Sequence, residues 1–159
     1  MGTSKSMPIT GPDPGCLDAA ERLDTAPLPV VLVVAVALVD ADNRVLLQQR
    51  PEGKSMAGLW ELPGGKLDAG ESPEAALIRE LKEELDIDVT NSCLAPLTFA
   101  SHRYDDFQLL MPVYACRIWK GTPVGREGQA LKWVRPVKMT ELPMPPADLP
   151  LIALLRDFL

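Results

Sequence analysis

Residues 65–87 read GKLDAGESPEAALIRELKEELDI and carry both the clearest helix signal and the densest group of acids in this sequence. Ser72 is a favoured N-cap residue, Pro73 suits the first helical position, and Glu74 is favourable at the positive end of a helix dipole. These signals predict a helix that begins after Ser72 and runs to about Leu85. The glycine pair at positions 64 and 65 permits a tight backbone turn ahead of that helix.

The predicted helix has an acidic flank beside an apolar face. Because an α-helix advances about 100° per residue, Glu80, Glu83 and Glu84 fall within about 100° of arc. The apolar face is formed by Leu77, Ile78, Leu81 and Leu85. We expect the apolar face to pack on a sheet while the acids point into a cleft, where they could hold a hard divalent cation. For this segment alone, an ordinary solvated helix face is the alternative, since Glu and Lys are good helix formers.

The segments on either side of the helix predict an α/β domain. Apolar runs predict strands at 30–39, 44–49, 59–62, 97–101, 108–119 and 130–134. The first two runs flank the turn-forming residues 40–43, which read DADN, and therefore predict a hairpin. Asp148 is predicted to cap a last helix over residues 149–158. Strands combined with two separated helices predict an α/β sandwich around a mixed sheet.

Composition limits the kinds of partner. With 159 residues and 47% hydrophobic residues, one domain with a proper core is expected. A net charge of −6 argues against a nucleic-acid polymer as ligand but not against a nucleotide held through a metal. The longest apolar run is too short to span a membrane. Three widely spaced cysteines without a Cys-x-x-Cys pair indicate a reducing cytoplasm. A monomer and a homodimer both remain open.

The chain divides into a tail and a domain. Residues 1–28 contain four prolines and several glycines, and predict a flexible N-terminal tail with a short helical turn around residues 16–23. Residues 29–159 form the expected folded domain.

The helix belongs to a longer pattern of fixed spacing. Gly65 is followed after five residues by Glu71, and after seven more by the run REL-KEE at 79–84. A chance match to so many positions is improbable. The segment resembles the Nudix box, except that the late glycine of the family is Asp86 here. Aspartate tolerates the left-handed conformation that a glycine adopts at a helix end, so we expect slight destabilisation and retained activity.

The resemblance covers about residues 30–159 and points to the MutT-like branch. Further matching segments are 46–50, 59–65, 126–129 and 145–148. The resemblance implies a Nudix fold, an α/β/α sandwich around a mixed sheet. It implies a pyrophosphohydrolase that uses Mg²⁺, or Mn²⁺ in its place, to convert 8-oxo-dGTP or a related (d)NTP to the monophosphate and pyrophosphate, and so cleans the nucleotide pool.

Other Nudix functions are the alternatives to this expectation. Similar sequence stretches occur in Nudix enzymes that prefer CTP or dCTP, and other members hydrolyse ADP-ribose or dinucleoside polyphosphates. A non-catalytic Nudix module that senses a nucleotide is the alternative from another class. Sensor forms typically lose some of the box acids, whereas all of them are present here.

The resemblance also implies roles for the charged residues. Metal ligands are expected among Glu80, Glu83, Glu84 and Glu127. Glu80 is the candidate general base, with Glu83 or Glu127 as alternatives. Arg79 is expected to orient the acids by pairing with Glu71, which completes a catalytic set of Glu71, Arg79, Glu80 and Glu83.

Substrate contacts are implied by position in the same way. The expected substrate-binding residues are Arg50, Leu62, Gly65, Lys66, Phe107 and Asp148. Leu62 stands where some relatives have a Phe beside the base, and Asp148 stands where an Asn reads the oxidised purine. Because an ionised Asp accepts hydrogen bonds but cannot donate them, these departures weaken a strict 8-oxoguanine preference. Phe107 and Trp60 are candidate stacking partners, with ordinary packing as the alternative for each.

Overall fold

The structure is a computed structural model that describes residues 27–159. The predicted tail over residues 1–28, with its helical turn around residues 16–23, lies outside the described residues except for its last two positions. The described elements are, in order, β1 Val30–Leu38, β2 Val45–Gln49, β3 Trp60–Glu61, β4 Gly64–Lys66, α1 Pro73–Leu85, a 3₁₀ turn Asn91–Cys93, β5 Ala95–Arg103, β6 Gln108–Cys116, β7 Leu131–Val134, α2 Pro136–Met139 and α3 Leu149–Phe158.

The strands form two sheets. The larger sheet has the order β4-β1-β6-β5 and is mixed, since β1 runs parallel to β6 and antiparallel to β4. The smaller sheet has the order β3-β2-β7 and is antiparallel. The predicted mixed α/β architecture is confirmed, and the ends of the six predicted strands differ from the observed ends by at most three residues. Strand β4 and helix α2 are elements that the sequence did not indicate.

The predicted hairpin is right at its turn and wrong beyond it. Asp40 accepts hydrogen bonds from the backbone N–H groups of Asp42 and Arg44, so the turn closes as expected. Only Val39 and Val45 then pair across it. Strands β1 and β2 diverge because each lies in the middle of a different sheet, where β1 pairs with β4 and β6, and β2 pairs with β3 and β7. The local turn composition contains no information about those partners.

Helix α1 follows its sequence signals at both ends. The Ser72 hydroxyl accepts a hydrogen bond from the N–H of Ala75 at 3.2 Å, as an N-cap does. At the other end Asp86 is left-handed, with φ 56° and ψ 33°, and Ile87 N–H donates to the Leu81 carbonyl. This is the arrangement that usually contains glycine, and it confirms that aspartate can take its place.

Two apolar layers lie on opposite faces of β1. Val34, Val36 and Leu38 share one cluster with the buried face of α1, including Leu77, Leu81 and Leu85. Ala35 and Ala37 face the other way and share a second cluster with Leu151, Ile152 and Leu155 of α3. This alternation is the period-2 pattern of a strand that is buried on both faces. The sheet therefore lies between α1 and α3, which positions α1 beside β4.

Asp148 does not cap the last helix with its side chain. The bounds of α3 agree with the predicted 149–158, but Asp148 has helical backbone angles and its carboxylate makes no cap hydrogen bond. A side-chain cap needs an extended backbone at the N-cap position. The carboxylate instead accepts a hydrogen bond from the N–H of Leu62 at 3.5 Å, beside β3. Within residues 27–159 no helix is long and apolar enough to cross a membrane.

Candidate functional site

A cleft of about 530 Å³ is lined by both sheets, by α1 and by the loops that contain residues 50–56, 104–107, 127–129 and 145–148. Eight of the candidate site residues that the sequence singled out line it, namely Arg50, Leu62, Gly65, Lys66, Glu84, Phe107, Glu127 and Asp148. Glu127 reaches it from the loop after β6. Glu80 and Glu83 of α1 do not line the cleft and are grouped around Arg79.

Arg79 holds three acids together. Its Nε and Nη2 donate to the two carboxylate oxygens of Glu71 at 3.0 and 2.8 Å, which is a bidentate pair. Its Nη1 donates to Glu80 at 2.8 Å and to Glu83 at 3.4 Å, and Nη2 also reaches the Lys66 carbonyl on β4 at 3.2 Å. The hydrogen bonds to Glu71 and Glu80 raise the pKa of Arg79, so its charge is permanent. One guanidinium thus fixes the acids of the helix relative to the sheet.

The absence of a side chain at Gly65 leaves the space that the Glu80 carboxylate occupies. Gly65 pairs with Val34 in the β1–β4 ladder, and a Cβ atom at this position would overlap the carboxylate of Glu80. The sequence predicted a phosphate-binding backbone here and missed this steric requirement. The glycine pair was the available signal, because a glycine at a strand position often marks a close approach.

Glu84 is the acid that reaches into the cleft. It is partly buried, and Gln48 Nε2 donates to its Oε2 at 3.2 Å. Burial, together with the nearby charges of Glu80 and Glu127, raises the pKa of Glu84 to about 7, and the hydrogen bond from Gln48 opposes the rise. Glu84 therefore lies within electrostatic reach of both Glu80 and Glu127.

The donor set fits a hard divalent cation, although it is not preassembled. Among residues 27–159, no three acidic, histidine or cysteine side chains already form a metal-binding group. Arg79 engages Glu80 and Glu83, and Lys54 pairs with Glu127. A divalent cation would relieve the mutual repulsion around Glu84, and carboxylate oxygens are the ligands that Mg²⁺ prefers. The fit rests on this donor chemistry.

The loop that carries Glu127 is attached to the end of α1. The backbone N–H groups of Arg126 and Val124 donate to the carbonyls of Glu84 and Leu85 at 2.9 and 3.0 Å. Gln129 adds a side-chain hydrogen bond to the Glu84 carbonyl at 3.1 Å. Carbonyls at a helix end lack partners inside the helix. This loop supplies those partners and places Glu127 next to the cleft.

On another wall of the cleft, Arg50 and Glu61 form an ion pair. Arg50 Nη1 donates to Glu61 at 2.6 Å and its Nε donates to the Ser55 carbonyl at 2.6 Å. Burial raises the pKa of Glu61, and Arg50 opposes the rise. The sequence singled out Arg50 and missed Glu61, because only the pairing of β2 with β3 brings the two together.

Asp148 and two aromatic rings lie near this pair. Asp148 is 5% exposed, burial raises its pKa to about 7, and the charge of Glu61 adds to the rise. Tyr104, which the sequence did not suggest, stacks on Phe107 with ring centroids 4.8 Å apart, and both rings line the cleft. Trp60 does not line it and has Lys132 over its ring at 5.2 Å, which agrees with a packing role.

The chain belongs to the NUDIX domain family, whose pattern matches residues 34–154. Among curated relatives, the CTP pyrophosphohydrolase of Escherichia coli K12 is 37% identical over 124 residues, which cover 77% of this chain and 89% of that protein. The 8-oxo-dGTP diphosphatase of the same organism is 32% identical over 126 residues, which cover 79% of this chain and 96% of that protein.

Solved structures give the same result for the fold. A MutT structure described for Aliivibrio salmonicida and Vibrio cholerae matches with a TM-score of 0.69 and 31% identity, over 82% of this chain and 99% of that one. The E. coli ORF135 protein matches with a TM-score of 0.72 and 32% identity, over 84% and 95% of the two chains. The predicted resemblance to MutT-like Nudix hydrolases is confirmed.

Proposed function

We propose that this chain is a Mg²⁺-dependent nucleoside triphosphate pyrophosphohydrolase of the cytoplasmic nucleotide pool, which converts a (d)NTP to the monophosphate and pyrophosphate. The observation that carries the proposal is the placement of Glu84 in the cleft within electrostatic reach of Glu80 and Glu127. The full set of Nudix-box acids and relatives named 8-oxo-dGTP diphosphatase and CTP pyrophosphohydrolase support the same reaction.

The metal would be held by the acids around Arg79 and by the loop acid. Glu80, Glu83, Glu84 and Glu127 would be its ligands. When bound, Mg²⁺ or Mn²⁺ supplies positive charge that offsets the triphosphate and lowers the pKa of a bound water. A triphosphate near these carboxylates would otherwise be repelled.

The hydrogen bonds around Arg79 determine which carboxylate oxygen is available to accept a proton. Arg79 donates to Oε1 of Glu80, while within the described residues no hydrogen bond engages Oε2. Glu80 Oε2 is therefore our candidate to accept a proton from the attacking water, with Glu83 or Glu127 as alternatives. Glu71 positions Arg79 through the bidentate pair and takes no part in the bond changes.

The wall with Arg50 and Asp148 would hold the nucleoside. Phe107 with Tyr104 offers an aromatic surface for the base, and the backbone of Gly65 and Lys66 would border the phosphates. An ionised carboxylate at Asp148 accepts hydrogen bonds, so a base that offers N–H groups fits this wall.

A cytosine nucleotide is the second candidate substrate. Leu62 places no aromatic ring beside the base, and Asp148 replaces an amide that can both donate and accept. Cytosine presents its N4 amino group to a carboxylate, as guanine presents N1–H and its amino group. The ranking of dCTP against 8-oxo-dGTP therefore separates the two candidates.

A substrate panel with product analysis tests the proposal. Purified protein is incubated with Mg²⁺ and 8-oxo-dGTP, dGTP, dCTP, 5-methyl-dCTP or ADP-ribose, and the phosphorus products are identified by ³¹P NMR. We expect pyrophosphate and a nucleoside monophosphate from at least one triphosphate. Release of orthophosphate from the triphosphates, hydrolysis without a divalent metal, or a clear preference for ADP-ribose would contradict it.

Glu84→Gln provides the matched variant for this assay. The change keeps the size of the side chain and removes the negative charge proposed to bind metal, so kcat should fall by about 100-fold or more while the fold is kept. Glu141→Gln is the control, because Glu141 is an exposed acid that does not line the cleft. Near-normal hydrolysis by Glu84→Gln at saturating Mg²⁺ would remove Glu84 from the metal site.

A further inference from the structure

An ion pair joins two loops across the cleft. Lys54 lies on the loop between β2 and β3, and its Nζ contacts Oε2 of Glu127, which is 73 residues away in sequence. Both residues line the cleft, and their side chains are 51% and 44% exposed. No sequence motif singled out Lys54, and neither the family resemblance nor the proposed reaction gives it a role.

The ammonium group of Lys54 acts on both sides of the cleft. Burial raises the pKa of Glu84 on α1 and that of Glu61 on β3, and the charge of Lys54 opposes both rises. Lys54 is thus positioned between the acids proposed for the metal and the wall proposed for the nucleoside. A triphosphate that bridges these two walls would pass within reach of this side chain.

The ion pair between Lys54 and Glu127 is exposed and is formed by a flexible side chain. Exposed ion pairs contribute little to stability, and lysine carries its charge on a long flexible stem. Arg50, by comparison, is held both by Glu61 and by the Ser55 carbonyl. A divalent cation competes strongly with a monovalent ammonium for the same carboxylate, because its attraction is about twice as large at equal distance.

We propose that Lys54 is a phosphate-positioning residue that pairs with Glu127 in the metal-free protein and transfers to a phosphate oxygen of the substrate when a metal takes Glu127. This inference rests on the proposed function and extends it, since it adds a substrate contact from the loop between β2 and β3. The transfer keeps the charges balanced: the carboxylate exchanges an ammonium for a metal, and the ammonium exchanges a carboxylate for a phosphate. It also draws this loop toward the bound triphosphate.

Metal binding without substrate tests the first half of the exchange. Mn²⁺ is titrated into metal-free protein and free Mn²⁺ is followed by EPR. Lys54→Gln removes the competing cation and should bind Mn²⁺ about threefold or more tightly than wild type, whereas Lys54→Arg should stay near wild type. Lys138→Gln is the matched control, because it breaks another exposed ion pair, with Glu141, that does not line the cleft.

Phosphate binding tests the second half. Inorganic tripolyphosphate is titrated into each variant in the presence of Ca²⁺ and followed by calorimetry. We expect Lys54→Gln to bind it about tenfold more weakly than wild type and Lys138→Gln to match wild type. In steady-state assays Lys54→Gln should raise KM by a similar factor and leave kcat within about twofold, which is the pattern of a lost binding contact.

The possible failures can be told apart. Equal Mn²⁺ and tripolyphosphate affinities in Lys54→Gln and Lys138→Gln would make Lys54 an ordinary surface lysine, while wild-type hydrolysis would leave the proposed function standing. Tighter Mn²⁺ binding with unchanged tripolyphosphate affinity would also overturn the exchange. A wild-type protein that neither binds Mn²⁺ nor hydrolyses any triphosphate would overturn both the proposed function and this inference.

Discussion

Asp148→Asn removes a carboxylate that folding has taken almost completely out of water. Within the described residues its one side-chain hydrogen bond comes from Leu62 N–H at 3.5 Å. Burial, with the nearby charge of Glu61, raises the pKa of Asp148 to about 7 from an ordinary 3.8, while Leu62 and Arg50 oppose the rise. An Asn keeps an oxygen that can accept from Leu62 but carries no ionisable group.

The size of the effect follows from the difference between the two pKa values. That difference is about 3 units, at about 1.4 kcal/mol per unit, so ionising Asp148 in the folded protein costs about 4 kcal/mol of stability. Between about pH 4 and pH 7 the folded protein binds more protons at this site than the unfolded chain, and stability therefore falls as the pH rises. About 2 to 3 kcal/mol of the loss lies between about pH 5 and pH 8.

Urea unfolding of both proteins across that pH range, in metal-free buffer, measures the effect. The variant should gain about 2 to 3 kcal/mol relative to wild type from the acidic to the alkaline end of the range, because the other groups near the site, Glu61, Arg50 and Tyr104, are common to both. Asp106→Asn, at an exposed loop position, should follow wild type in parallel. A free-energy difference between Asp148→Asn and wild type that is constant with pH would refute the reasoning.

Three further substitutions test other parts of the structure. Gly65→Ala puts a methyl group on the Glu80 carboxylate and should lower kcat/KM about tenfold or more and weaken Mn²⁺ binding in an EPR titration. Leu81→Ala opens a cavity in the core and should cost about 2 to 5 kcal/mol in urea unfolding, with KM unchanged. Asp86→Gly keeps the left-handed helix end and loses only exposed ion pairs, so stability should stay within about 1 kcal/mol of wild type and kcat should be unchanged. Wild-type Mn²⁺ affinity in Gly65→Ala would contradict the role given to Gly65. A negligible loss of stability in Leu81→Ala, or a large loss in Asp86→Gly, would contradict the roles given to those residues.

Local signals predicted helix α1 and its acids well. The cap at Ser72, the left-handed Asp86 and the separation of the apolar and acidic faces depend on residues within a few turns of one another. The spacing from Glu71 to Arg79 likewise required no knowledge of distant strands. The catalytic and metal-binding roles of these residues remain predictions that the experiments above address.

Features that depend on distant pairing were not visible in the sequence. The separation of β1 from β2 and the contact of Lys54 with Glu127 arise where segments far apart in the chain meet. Glu61 enters the cleft through the pairing of β3 with β2, which no local motif indicated. Asp148 occupies the predicted N-cap position, but its side chain makes no cap hydrogen bond, because tertiary packing sets its backbone angles in the helical range. The residue types around position 148 therefore predicted the helix correctly and the role of the Asp148 side chain wrongly.

The attachment of the Glu127 loop to the end of α1 limits how this part of the chain can vary. Val124 and Arg126 each satisfy a particular carbonyl of the helix, with one residue between them. An insertion or deletion at position 125 would leave one of those carbonyls without its partner and shift Glu127 along the cleft. The attachment extends back to Lys120, whose backbone N–H and carbonyl pair with those of Asp88, so a change of length anywhere between positions 120 and 126 would disturb it.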